Sequence, residues 1–190
     1  MNAPRQDLRA RHTRLQDYQA MLARRLREAR TLPAADSYLA LQIGARHWLL
    51  PLAETGEVLD MRPPSRVPLT QPWYSGLVNA RGSLLGVIDF SLFCGGSPTP
   101  VQPGSKLVVL SRQVERACAI LATRVAGLRH ATELGLPHEE AAQGLAQGSD
   151  EAPAWEGQRF ADRDGRDWQV LNVRALLDAP AFLQVGRSAA

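Results

Sequence analysis

The chain has 190 residues, 45% apolar and 22% charged, with a formal net charge of +3. That is enough apolar material for one domain, or for two small subdomains around a common interior, and too much for a disordered chain. The charge is local: residues 1–31 hold Arg5, Arg9, Arg11, Arg14, Arg24, Arg25, Arg27 and Arg30 against Asp7, Asp17 and Glu28, a net +5, while the remainder sums to −2. A body this close to neutral argues against a protein that binds nucleic acid over its whole surface.

Cys94 and Cys118 are widely spaced and have no His beside them, so neither a metal site nor a disulfide framework is expected. The opening Met1–Ala10 segment is charged and has no apolar signal region, and no stretch approaches the ~18 apolar residues of a membrane span. A cytoplasmic protein without membrane insertion is expected.

Residues 4–31 read as a helix, with Leu8, Leu15, Leu22 and Ala29 recurring every seven positions and arginines opposite; Pro33 closes it. From Ser37 the period changes to two. Tyr38–Ile43 and His47–Leu52 make a hairpin through Gly44-Ala45-Arg46, and Gly56–Met61 is a further short strand. Pro63, Pro64 and Pro68 force an extended crossing. Gly76–Ala80 and Leu84–Ile88 pair through a tight turn at Arg81-Gly82-Ser83, and Asp89 caps one helical turn through Phe93. A Gly/Pro-rich linker, 95–104, precedes strands at Lys106–Ser111, Ala117–Thr123 and Arg124–His130. Residues 131–153 read as a long mobile loop with a helical turn at Glu139–Leu145. Trp155–Ala161 and Trp168–Leu171 form a hairpin around Asp164-Gly165, Asn172 caps a helix through Leu177, and Pro180 stops it.

One design occurs twice. Gly86–Phe93 and Gln169–Leu177 each run from an apolar strand to an Asp or Asn cap and a short apolar helical turn, each after a tight glycine hairpin. Two small barrels built to one plan would produce this echo.

Catalytic constellations are absent from the sequence. His12, His47, His130 and His138 are scattered, and His47 is expected at the surface of a strand. Asp162, Asp164 and Asp167 lack the spacing of a calcium loop and read as turn chemistry. Ser83, Ser91 and Ser111 have no legible His–acid partners, and there is no phosphate loop. No catalytic, cofactor or metal site is expected. Trp48, Trp73, Trp155 and Trp168 fall in separate elements and read mostly as core, with Trp73-Tyr74 as the candidate exposed pair.

The segment Gly76-Leu77-Val78-Asn79-Ala80-Arg81-Gly82-Ser83-Leu84-Leu85-Gly86-Val87-Ile88-Asp89-Phe90 resembles the signature of the CheW family: a Gly, an apolar pair, Asn, any residue and Arg-Gly leading into a valine-rich strand that ends in Asp. Tyr38–Leu41, Glu57–Met61, Val67-Pro68-Leu69, Lys106–Val109 and Ala117–Val125 resemble its flanking elements, so the likeness spans roughly residues 37–178. The basic helix and Arg-rich second half look like the PilI type found in type IV pilus twitching systems, and the receiver domain of the fused CheV type is not expected.

The resemblance implies a mainly all-β fold of two SH3-like five-stranded barrels sharing a core. A basic helical extension (1–35) would precede a CheW-like domain (36–180) with subdomains at about 37–95 and 104–178, and a tail (181–190) would follow. It implies an adaptor, not an enzyme, recruited to receptor arrays, whose partners are a CheA-type histidine kinase and the cytoplasmic tip of a methyl-accepting chemoreceptor. Asn79 and Arg81, on one strand face at the mouth of a groove between the subdomains, with Val78 and Leu85 as its floor, are the expected receptor contacts. Val58 and Met61, rimmed by Glu57 and Asp60, are the expected kinase contacts. A purely structural role for Asn79, and for Arg81 paired with Asp60, stays open, as does a nucleic-acid-binding barrel with a basic arm.

Overall fold

The computed structural model describes residues 37–111, 116–135, 137 and 152–187. The helix expected over 4–31 and the turn expected over Glu139–Leu145 lie outside the described residues. The first part of the expected 131–153 loop is pinned to the body: Ala131–Glu133 forms a 3-10 turn, Leu134 is buried, and Pro137 bridges to Phe160.

Among the described residues ten strands run β1 (Ser37–Ile43), β2 (Arg46–Pro51), β3 (Thr55–Asp60), β4 (Tyr74–Ala80), β5 (Ser83–Ile88), β6 (Lys106–Leu110), β7 (Cys118–Ala122), β8 (Arg124–His130), β9 (Glu156–Ala161) and β10 (Asp167–Leu171). Among the described residues the helices are α1 (Phe90–Phe93), α2 (Val173–Asp178) and α3 (Pro180–Leu183), all short. The strands form two five-stranded sheets, ordered β8-β1-β2-β10-β9 and β3-β6-β7-β5-β4. The mainly-β expectation therefore holds, but a division near residue 95 runs across both sheets. The chain leaves the first sheet at Leu52–Glu54, builds the second from β3 to β7, and returns at β8.

The two sheets repeat one topology. In the second, β4 and β5 form an antiparallel hairpin, β5 runs parallel to β7, β7 antiparallel to β6, and β6 antiparallel to β3. In the first, β9 and β10, then β2, β1 and β8, repeat those relations in the same order. The units are thus β3–β7 and β8-β9-β10-β1-β2, the latter completed by the strands at the start of the described chain. The echo seen in the sequence is the hinge of this repeat. Asp89 (φ −86, ψ 93) accepts from the Leu92 N–H, and Asn172 (φ −81, ψ 96) accepts from the Ala175 N–H, each capping the helix that follows a parallel-paired strand.

Three apolar clusters follow from strand alternation. Val78, Leu85, Val87, Leu107, Ala119 and Leu121 fill one face of the second sheet; Ala40, Leu49, Leu134, Phe160 and Trp168 fill one face of the first. The opposite faces meet in a larger shared core containing Leu39, Leu41, Trp48, Leu50, Val108, Ile120 and Leu171, sealed by Phe90 from α1 and Leu176 from α2. A strand apolar on both faces has to be buried on both, and β7 (Cys-Ala-Ile-Leu-Ala) is buried throughout.

The end of the chain departs from expectation. Pro180 terminates α2 but also opens α3, taking the first helical position where its missing N–H costs nothing. Phe182 stacks on Trp73 (5.4 Å between centroids, 15°), and the backbone of Val185 and Arg187 bonds to Gln71 and Leu69. Residues 180–187 therefore strap the proline crossing instead of trailing as a tail. Trp73, expected to be exposed, is buried beneath them.

Candidate partner-binding groove

The β4–β5 turn fixes the position of Arg81. Arg81 and Gly82 have φ of +50 and +84, a pair of left-handed residues that matches the right-handed twist of a two-residue hairpin. The Gly82 N–H donates to Asn79 Oδ1 at 3.0 Å, so Asn79 holds the turn, as its structural reading requires. The expectation that Asn79 and Arg81 share a strand face fails, because β4 ends at Ala80 and Arg81 lies in the turn itself.

Nor does Arg81 pair with Asp60. A register shift in β3 between Thr55 and Val58 turns Glu57 toward the hairpin, and the Arg81 guanidinium meets its carboxylate at 3.3 Å. Asp60 pairs with Lys106 at 2.5 Å; that hydrogen bond and the ammonium charge hold the Asp60 carboxyl below its usual range.

Around Arg81 opens a groove of about 620 Å³. Glu57 stands on one side, Ala80, Arg81 and Ser83 form the hairpin rim, Leu85 is the floor, and Val109, Leu110, Arg116 and Ala117 make the far wall. These residues all belong to the second sheet and its connections, not to both sheets, so the groove expected between subdomains is instead an open end of one sheet. Val78 faces Leu85 across the β4–β5 pair but is covered in the core beneath. The far wall carries no signal in the sequence, because it comes from β6 and the approach to β7, distant from the hairpin along the chain.

The four residues expected to form a second contact divide between the faces of β3, an edge strand. Val58 is 42% exposed and Asp60 is exposed beside it in strand alternation. Met61 packs with Leu59 against the second sheet's own cluster, so it does not join Val58. Glu57 lines the groove.

The remaining candidates are structural. Burial pushes the Cys94 thiol up to about 12 and Cys118 to about 11, leaving both protonated and unreactive near neutral pH. Asp162 Oδ1 accepts from the Asp164 and Arg166 N–H groups and its Oδ2 accepts from the Trp168 indole, so its lone pairs serve the turn. His47 is half-buried, its ring 5.0 Å from that of Trp168. Among the described residues no His/Cys/Asp/Glu group is arranged to hold a metal, and no helix is long and apolar enough to cross a membrane. Trp48, Trp73 and Trp168 are buried and offer no stacking platform for bases.

Residues 37–181 match the family described as CheW-like domain. The chain belongs to the CheW-like domain family. Among its relatives, Protein PilI of Pseudomonas aeruginosa is 27% identical over 94 residues, 50% of this chain and 52% of that protein; the match spans about half the relative's length. The crystal structure of the scaffolding protein TtCheW from Thermoanaerobacter tengcongensis superposes with a TM-score of 0.60 at 13% identity, over 77% of this chain and 95% of that one. That likeness carries the fold, and the two five-stranded units described above are the two SH3-like units of a CheW-like domain. The signature segment occupies β4, the turn and β5, so the family resemblance falls on the groove rim and floor.

Proposed function

We propose that this CheW-like protein is a non-catalytic cytoplasmic adaptor that couples the tip of a methyl-accepting chemoreceptor to a CheA-type histidine kinase, in a chemosensory system governing type IV pilus twitching motility. The observation that carries the reading is the two-sided edge strand β3. One side turns Glu57 into the groove beside Arg81, and the other presents Val58 and Asp60 to solvent. A single strand can thus hold two partners back to back. The groove, with Arg81 and Arg116 outnumbering Glu57, suits an acidic helical receptor tip. The Val58 face, an apolar side chain with a charged rim, suits the regulatory domain of the kinase.

The test is three-component co-sedimentation with receptor cytoplasmic fragments, the kinase and this protein. Kinase should pellet with receptor only when the adaptor is present. Equal pelleting without it, or adaptor that captures neither component, rules the coupling role out.

A further inference from the structure

The repeated topology allows the open end of the second sheet to be compared, position by position, with the same end of the first. Pairing registers set the correspondence. Val78 opposite Leu85 matches Phe160 opposite Trp168, and Gly86 beside Cys118 matches Gln169 beside Trp48. Leu85 therefore corresponds to Trp168, Ala117 to His47, and Arg116 to Arg46.

At the end of the first sheet this place is filled. The Trp168 indole is 1% exposed, donates its N–H to Asp162 Oδ2 at 2.9 Å, has the His47 ring at 5.0 Å, and carries the Arg129 guanidinium 5.9 Å above it. Arg46 is drawn aside, over the Trp48 ring at 4.5 Å and onto Glu156 at 2.9 Å. At the second sheet Leu85 and Ala117 replace indole and imidazole with smaller side chains, Leu85 packing into the cluster beneath while Ala117 and Arg116 are exposed. What remains is the groove of about 620 Å³, floored by Leu85 and rimmed by two guanidinium groups against one carboxylate.

We propose that the open end of the second sheet is a seat for one bulky apolar side chain, aromatic by preference, carried on a partner segment with acidic flanking residues, and that this ring lies on Leu85 and makes up the volume by which Trp168 and His47 exceed Leu85 and Ala117. Leu85 and Val109 supply the apolar contact, and Arg81 and Arg116 meet the flanking carboxylates. An aromatic ring gains most from such a pocket, because it brings large apolar area with little conformational entropy. The proposal rests on the reading of the groove as a partner site and specifies what enters it.

The test uses the full chain and three capped tripeptides, Glu-Trp-Glu, Glu-Ala-Glu and Lys-Trp-Lys, followed by amide chemical shifts. Glu-Trp-Glu should shift Leu85, Val109 and Ala117 with a Kd on the order of 1 mM, and the other two should bind at least about tenfold more weakly. Ala117→Phe, at an exposed position on the wall, fills the seat from the chain's own side and should abolish those shifts. Arg116→Glu should reverse the preference toward Lys-Trp-Lys. Equal shifts with Glu-Ala-Glu, or binding that survives folded Ala117→Phe, overturns the proposal. Receptor capture by the wild-type protein tests the wider reading separately: a protein that captures receptor and ignores all three peptides overturns the seat alone.

Discussion

Replacing Arg81 by Asn separates function from stability at one position. Arg81 is the first central residue of a two-residue hairpin and holds φ +50, where Asn and Gly are the favoured residues. Holding a long side chain in that conformation costs about 1 kcal/mol. The ion pair with Glu57 returns little: its side chains are 79% and 45% exposed, and such pairs contribute about 0–1 kcal/mol. The bond from the Gly82 N–H to Asn79 does not involve residue 81's side chain and survives the change. Arg81→Asn should therefore be neutral or stabilising by up to about 1 kcal/mol, a rise of at most ~2–4 °C in melting temperature for a domain of this size. The same substitution removes a guanidinium from the groove rim. A charge-assisted contact with a partner carboxylate is worth roughly 1.5–3 kcal/mol, which is on the order of a 10- to 150-fold loss of affinity. Thermal melts and titration calorimetry against a receptor cytoplasmic fragment measure the two quantities on one sample. A variant that melts several degrees lower would show that Arg81 holds the fold together. One that binds receptor as tightly as wild type would remove Arg81 from the site.

Val58→Asp adds a charge to the exposed face of β3 and should leave the melting temperature within about 2 °C while weakening kinase capture by ~2 kcal/mol or more; unchanged capture would move the kinase contact elsewhere. Asp89 and Asn172 cap equivalent helices, but Asp89 is 4% exposed and also accepts from Thr99 N–H and its hydroxyl, so Asp89→Ala should cost about 2–4 kcal/mol in urea unfolding and Asn172→Ala about 1. Equal costs would mean that the Thr99 bonds contribute nothing. Burial acts to raise the Asp162 carboxyl, but the Trp168 indole, the Arg166 and Asp164 N–H groups and the Arg166 charge outweigh it and hold it below its usual range. Its stabilisation is thus complete above the unfolded carboxylate value near pH ~4 and is lost as pH falls through the lower folded value. Asp162→Asn should flatten the urea midpoint over that acid range, and an unaltered slope would contradict the assignment.

Features governed by neighbours along the chain were legible in the sequence. Gly44, Gly82 and Gly165 take positive φ in the hairpin turns expected of them, and the Asp89 and Asn172 caps lie where an apolar strand meets an apolar helical turn. Features set by chain return were not. Ser37–Pro51 reads as the start of a first unit, yet β2 pairs in parallel with β10 through Gln169 and Val170, and no residue near Pro51 announces the change of sheet. Trp73 looked exposed because its cover, Phe182, arrives from the far end of the domain. The site was half legible for the same reason. The turn supplied Arg81, Asn79 and Leu85, but the partner of Arg81 depends on one register shift. Were the Thr55–Leu110 register continued unshifted, Glu57 would stand opposite Val108 in the shared core, where a carboxylate has no place, and Leu59 opposite Lys106. The shift between Thr55 and Val58 admits an additional residue, so that Leu59 meets Leu107, Glu57 reaches the hairpin, and Val58, opposite Val108, stays 42% exposed at the sheet edge. A bulge on an edge strand disrupts pairing with another chain and re-aims side chains at once. In β3 one local irregularity therefore sets the acidic side of the groove and the separate apolar surface behind it.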